Sequence, residues 1–105
     1  MTGHVFHPGH DPLHGVTVVV EGTSGRTWVG RYHERNERGV VMHDVAIHDP
    51  ATAAVSREEW IEKLRRFGIA VDEPFVILPL KEAGPIAPLV EWLETKARPA
   101  PAPPR

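Results

Sequence analysis

The sequence predicts a mainly β domain with helical additions: a small antiparallel barrel, an amphipathic helix inserted after the third strand and a short C-terminal helix. Three observations carry that prediction. Between Val16 and Ile47, β-branched runs alternate with glycine-rich or highly polar turns. Between Ser56 and Phe67 the apolar period changes to that of a helix. The chain has only 105 residues, enough for one core, and a flat sheet of so few strands leaves a face and two edges to water, so closure is the economical arrangement.

The first strand is Val16 to Glu21, followed by turn residues Gly22, Ser24 and Gly25. Thr27 to Tyr32 alternates large and small side chains and forms the second, ending where the polar run His33 to Gly39 turns the chain. Val40 to Ile47 forms the third, closed by Asp49-Pro50. Ser56 and Glu59 then make a capping box, with Trp60, Ile61, Leu64 and Phe67 on one face. Glu59 to Lys63 and Glu62 to Arg66 are spaced to pair outside it, and Gly68 stands where the cap belongs. Phe75 to Leu80 reads as a fourth strand, with Pro79 marking an edge or an end. Leu89 to Lys96 is expected as the closing helix behind Pro88, although Ile86 to Leu89 also suits a short strand. Val18, Val20, Trp28, Val41, Val45, Ile61, Leu64, Ile77 and Leu80 are the expected core.

Composition narrows the class. A hydrophobic fraction of 41% with 25% charged residues is globular. The absence of cysteine excludes disulfides, thiolate chemistry and cysteine-ligated metals. No apolar run is long enough to span a membrane, and the first residues lack the apolar core of a secretion signal, so a cytoplasmic protein is expected. The net charge of -2 supplies no global field for a polyanion. The domain is expected over residues 13–97, between a His/Gly/Pro-rich arm at 1–12 and a proline-rich tail at 98–105.

Gly15 to Asp44 resembles the first motif of the Sm-like (LSm) family, a pattern shared in part by SH3-like barrels. The residues are Val16-Thr17-Val18-Val19-Val20-Glu21, Ser24-Gly25-Arg26, Trp28-Val29-Gly30-Arg31-Tyr32, Asn36 and Val40-Val41-Met42-His43-Asp44. The resemblance implies a small bent barrel, oligomer formation and RNA binding. Two departures bear on function. Gly39 or Val40 stands where the family has its base-contacting asparagine, and the helix falls between strands three and four rather than before strand one.

Seven histidines are the most unusual compositional feature. In His7-Pro8-Gly9-His10 the central Pro-Gly suits a type II turn that draws two imidazoles together. With His4 or His14 and Asp11 added, this becomes a candidate nitrogen-and-oxygen site for Zn, Ni or Cu; the plainer reading is a polar arm with adventitious affinity. His43 and His48 fall on opposite faces if their strand is regular, and each is expected to be a hydrogen-bonded structural histidine. The hairpin residues Arg31, Tyr32, Arg35, Asn36 and Arg38 could grip phosphate and stack a base, with Glu34 and Glu37 opposing. Trp28, Trp60 and Trp92 are expected in the packing. No nucleophile elbow, phosphate loop or placed carboxylate pair argues for catalysis.

The leading expectation is therefore a non-enzymatic binding or assembly module, self-associating or meeting a protein partner through the strand edge near Phe75 to Leu80. RNA or nucleotide binding through the Arg31–Arg38 hairpin and metal binding by the N-terminal histidines are the alternatives. Charging all seven histidines moves the formal total from -2 to +5, so anion binding should strengthen near pH 5.

Overall fold

Short turns between β-branched runs leave consecutive strands no choice but to pair as neighbours. The computed structural model, which describes residues 13–97, realises this as β1 (Thr17–Gly22), β2 (Thr27–Asn36) and β3 (Gly39–His48), followed by α1 (Arg57–Phe67), β4 (Glu73–Leu78), β5 (Ala83–Pro88) and α2 (Leu89–Ala97). All five strands form one antiparallel sheet in the order β4-β3-β2-β1-β5. The expected 1–12 arm and 98–105 tail lie outside the described residues.

The sheet is strongly curled. β4 and β5 lie at its opposite edges, yet only residues 79–82 connect them. Four strand spacings of about 4.8 Å would separate those edges by roughly 19 Å if the sheet were flat. The link is instead a tight turn, in which Pro79 O accepts from Glu82 N at 2.9 Å and from Ala83 N at 3.2 Å. Curvature brings Leu78 of β4 and Ile86 of β5 into one cluster with Val18, Val20, Trp28, Tyr32, Val40, Met42 and Val45. No ladder joins β4 to β5 among the described residues, so the sheet is not closed into a barrel.

Two bulges shape the strands. In β3, Arg31 opposes His43 while Val29 opposes Ala46, leaving an extra residue at Asp44, whose φ of 53° is positive. A Cβ on Gly30 would lie 3.0 Å from His43 O and 2.9 Å from Val45 Cγ2, so glycine faces the bulge for steric reasons. In β2, Tyr32 opposes Met42 and Glu34 opposes Val41, leaving His33 extra. The second strand thus runs four residues past its expected end at Tyr32, and Glu37-Arg38 alone forms the turn. At the hairpin tip Gly39 has φ 147° and packs on the backbone of Leu78 and Pro79, where a side chain would collide.

On the convex face, Val19, Val29 and Ala46 are covered by Ile61 and Leu64 of α1 and Trp92 of α2. Ser56 caps α1 by accepting from Glu59 N at 3.1 Å, and Gly68 N donates to Leu64 O at 2.8 Å. Two core expectations, Ile77 and Leu80, are overturned, and Phe67 leaves the apolar face of α1 on which it was expected. Phe67 is 78% exposed, because Gly68 turns the chain and Ile69 packs where Phe67 was expected. Ile77 points to the uncovered part of the convex face, and Leu80 lies in the turn beyond β4. At Glu62 the partner is Arg65 rather than Arg66. The last segment is both strand and helix: β5 ends at Pro88 and α2 begins at Leu89.

Candidate functional site

The convex face is unequal along its length. Its lower part lies beneath the helices, while its upper part, toward the β2–β3 hairpin, is bare. There His33, Glu34, Asn36 and Arg38 of the hairpin, Val41 and His43 of β3, and Phe75 and Ile77 of β4 line a groove of about 390 Å³. Val41 and Ile77 are directly paired across the β3–β4 ladder, as are His43 and Phe75, which gives the groove an apolar and aromatic floor.

Aromatic rings run in a row along this face. The His14 and His33 centroids are 5.0 Å apart, those of His33 and His43 5.2 Å, and those of His43 and Phe75 5.4 Å. His14 Nδ1 donates to His33 O at 2.7 Å, fixing the start of the domain against β2. The β2 bulge at His33 makes the row possible, since it lets His33 and Glu34 both face the groove.

The expected ligand-binding set is only partly assembled here. Asn36 and Arg38 line the groove, with Asn36 Nδ2 donating to Glu34 Oε2 at 2.9 Å and Asn36 Oδ1 accepting from Arg38 N at 2.9 Å. Arg31 is paired with Asp44 at 3.0 Å. Arg35 lies opposite Val40, on the concave side of the sheet. Tyr32 is removed from the set: it is 2% exposed and packs in the concave core, so its ring cannot stack on a base. Of the metal candidates, His14 joins the ring row, while His4, His7 and His10 lie outside the described residues. Among the described residues, no three His, Asp or Glu side chains converge to hold a metal ion.

The regular-strand premise for His43 and His48 also fails. The bulge at Asp44 restores both to the convex face, since Met42 and Ile47 face the other way. Four effective strand steps still hold them about 13 Å apart. His48 is a structural histidine, 4% exposed, donating from Nε2 to Val55 O at 2.9 Å and stacking near Trp60 at 5.2 Å.

Sequence reasoning missed a second polar cluster at the covered end. Glu21, Thr27 and His48 stand side by side across β1, β2 and β3. Arg57 Nη1 donates to Glu21 Oε1 at 3.2 Å, and Trp92 Nε1 donates to Glu21 Oε2 at 3.1 Å. The Arg57 guanidinium also meets Glu58 at 3.2 Å and lies 6.0 Å above the Trp92 ring. Beside this cluster a cavity of about 340 Å³ is lined by Gly25, His48, Pro50, Val55, Ser56, Arg57 and Glu58. Thr27 Oγ1 and His48 Nδ1 are buried neighbours that make no hydrogen bond to each other. Two carboxylates neutralise the one guanidinium, and the cluster acts to tie both helices to β1. Trp92 at a position four residues inside a terminal helix, with Glu21 at the end of an apolar strand, was the signal available in the sequence.

The chain matches no known protein family, and no curated protein resembles it in sequence. Among the described residues no helix is long and apolar enough to cross a membrane.

Proposed function

We propose that the chain is a non-enzymatic assembly module of the Sm-like or SH3-like small-barrel kind, associating with a second copy through β4. The observation that carries this reading is the character of that strand. β4 is an outer strand with a ladder on one side, and it presents Phe75 at 52% and Ile77 at 37% exposure on the bare part of the sheet. The other edge is a poor template, because Pro85 and Pro88 remove donors from β5. Two β4 strands related by a two-fold axis pair antiparallel, burying Phe75 and Ile77 of both copies. The strong curl of the five-strand antiparallel sheet supports the small-barrel reading, while the helix between strands three and four departs from the Sm-like order. Sedimentation of the purified protein tests it: a dimer that dissociates in the micromolar range is expected, and Ile77→Lys should be monomeric with an unchanged fold. A wild-type protein that stays monomeric up to hundreds of micromolar refutes the reading.

The groove itself favours a second reading, RNA or nucleotide binding. Arg38 lines the same groove as the His33, His43 and Phe75 rings, which could stack a base, although Arg31 is occupied by Asp44. Its signature is affinity for short oligonucleotides that falls steeply with salt and rises from pH 8 toward pH 5. Binding indifferent to salt removes it.

A further inference from the structure

We propose that the groove at the bare end of the convex face reads guanine, carried by a nucleotide or by unpaired RNA, and that Glu34 selects the base. The inference rests on the nucleotide reading above and names the base it takes. A chain of hydrogen bonds at the hairpin tip sets the selector. Arg38 N donates to Asn36 Oδ1 at 2.9 Å, which turns the Asn36 amide so that its Nδ2 donates to Glu34 Oε2 at 2.9 Å. The backbone of the turn thus holds the part-buried carboxylate in one orientation. Glu34 Oε1 accepts from no described residue, and Oε2 keeps a second lone pair.

An ionised carboxylate only accepts hydrogen bonds, through two oxygens side by side. Guanine alone among the four bases presents two adjacent donors, N1–H and N2–H, on its Watson–Crick edge, and meets such a group with two charge-assisted bonds. Adenine and cytosine set a ring-nitrogen acceptor beside their amino group. Uracil flanks its single N3–H with two carbonyls. Each of these three brings an acceptor against the carboxylate, which is a repulsive contact.

The same groove supplies a surface for the base and a charge for its phosphate. Its volume of about 390 Å³ suits a small ligand. Phe75 is half exposed there, with the His43 ring 5.4 Å from it and the His33 ring 5.2 Å beyond. His43 and Phe75 are paired across the β3–β4 ladder, so the stacking surface is held by the sheet. Arg38 lines the groove too and, unlike Arg31, is in no ion pair among the described residues. Its guanidinium is the group for the phosphate.

Calorimetric titration of the full chain with GMP, AMP, CMP, UMP and inosine monophosphate tests the proposal. GMP is expected to bind at least about tenfold more tightly than AMP, CMP or UMP. Inosine monophosphate keeps N1–H but lacks the 2-amino group, and should bind about tenfold more weakly than GMP. Glu34→Gln should lose about tenfold for GMP while AMP stays within about threefold of wild type. Arg38→Ala retains the backbone N–H that orients Asn36, so it should weaken every mononucleotide alike and keep the ratios. A hexanucleotide with one guanine among uridines should show the same preference over its all-uridine counterpart. Tighter binding of that strand than of GMP assigns the source to RNA, and weaker binding assigns it to the free nucleotide.

Mononucleotides that bind within about threefold of one another leave the nucleotide reading standing and overturn this inference. A guanine preference that survives Glu34→Gln, or inosine monophosphate equal to GMP, also overturns it. Should Glu34→Gln unfold, the inosine comparison decides. No binding of any mononucleotide or strand at millimolar concentration removes both readings. Self-association through β4 competes equally with every base, so the ratios are independent of it.

Discussion

The two ends of the convex sheet face are built from the same three central strands and meet opposite fates. At the covered end, Val19, Val29 and Ala46 are sealed by Ile61, Leu64 and Trp92. At the bare end, Val41 and Ile77 floor an open groove. The helices decide the difference. α1 has eleven residues and α2 nine, about 17 and 14 Å of helix, while β2 and β3 each run ten residues, about 33 Å. Neither helix can cover strands of that length, and the Glu21–Arg57–Trp92 network fixes both toward the covered end. One end of the face is thereby sealed by the helices and the other left open to solvent.

Paired substitutions should separate the two ends, and the largest contrast is expected at the isoleucines. Ile61→Ala, at a fully buried position, should cost about 2–5 kcal/mol in denaturant unfolding. Ile77→Ala should cost under about 1 kcal/mol, measured where the protein is monomeric. Equal losses would erase the distinction between the ends. The strand deformation that permits both regions is probed by Gly30→Val, whose branched side chain must displace Val45 and the His43 carbonyl. A loss of about 1–3 kcal/mol is expected by the same unfolding assay, with altered His43 ring resonances in the NMR spectrum.

Smaller effects should sharpen the picture within the covered end. Ser56→Ala removes the acceptor of Glu59 N–H and should destabilise by about 1 kcal/mol, with Ser56→Asp recovering most of it. The smallest effect is expected at Glu62, whose carboxyl is held below the usual carboxylate range mainly by its hydrogen bond from Arg65. A lowered folded pKa means that its contribution is present above the ordinary glutamate pKa and is lost as pH falls through the folded value. The stability difference between wild type and Glu62→Gln should therefore be small at pH 7 and shrink on acidification toward pH 3. A difference that grows on acidification has the wrong sign for this pair.

The strands and the inserted helix were legible because β-branched runs, turn residues and the Ser56 cap agree with one another. Pro79 marked the end of β4 for the reason it usually does, the missing donor. The misreadings share a cause in tertiary geometry. Gly30 inside β2 was the one local mark of the bulge opposite it, and it does not say which residue of β3 is extra, so the parity of His43 and His48, the length of β2 and the row of rings were hidden in the sequence. Tyr32 looked like a ligand residue because arginines flank it, yet the strand alternation turned it inward. Ile77 looked like core because it is aliphatic and in a strand, and only the reach of the helices leaves it bare. The Glu21–Thr27–His48 row was invisible because its three members are brought together across three strands.

The claim that β4 is the assembly edge is tested most directly by hydrogen–deuterium exchange of the Phe75–Leu78 amides as a function of protein concentration. Alternate amides of an unpaired outer strand face solvent, and pairing with a second copy must protect them. Protection that rises with concentration in wild type and is absent in Ile77→Lys is the expected result. Exchange at those amides that stays fast and identical from low micromolar to hundreds of micromolar would contradict it.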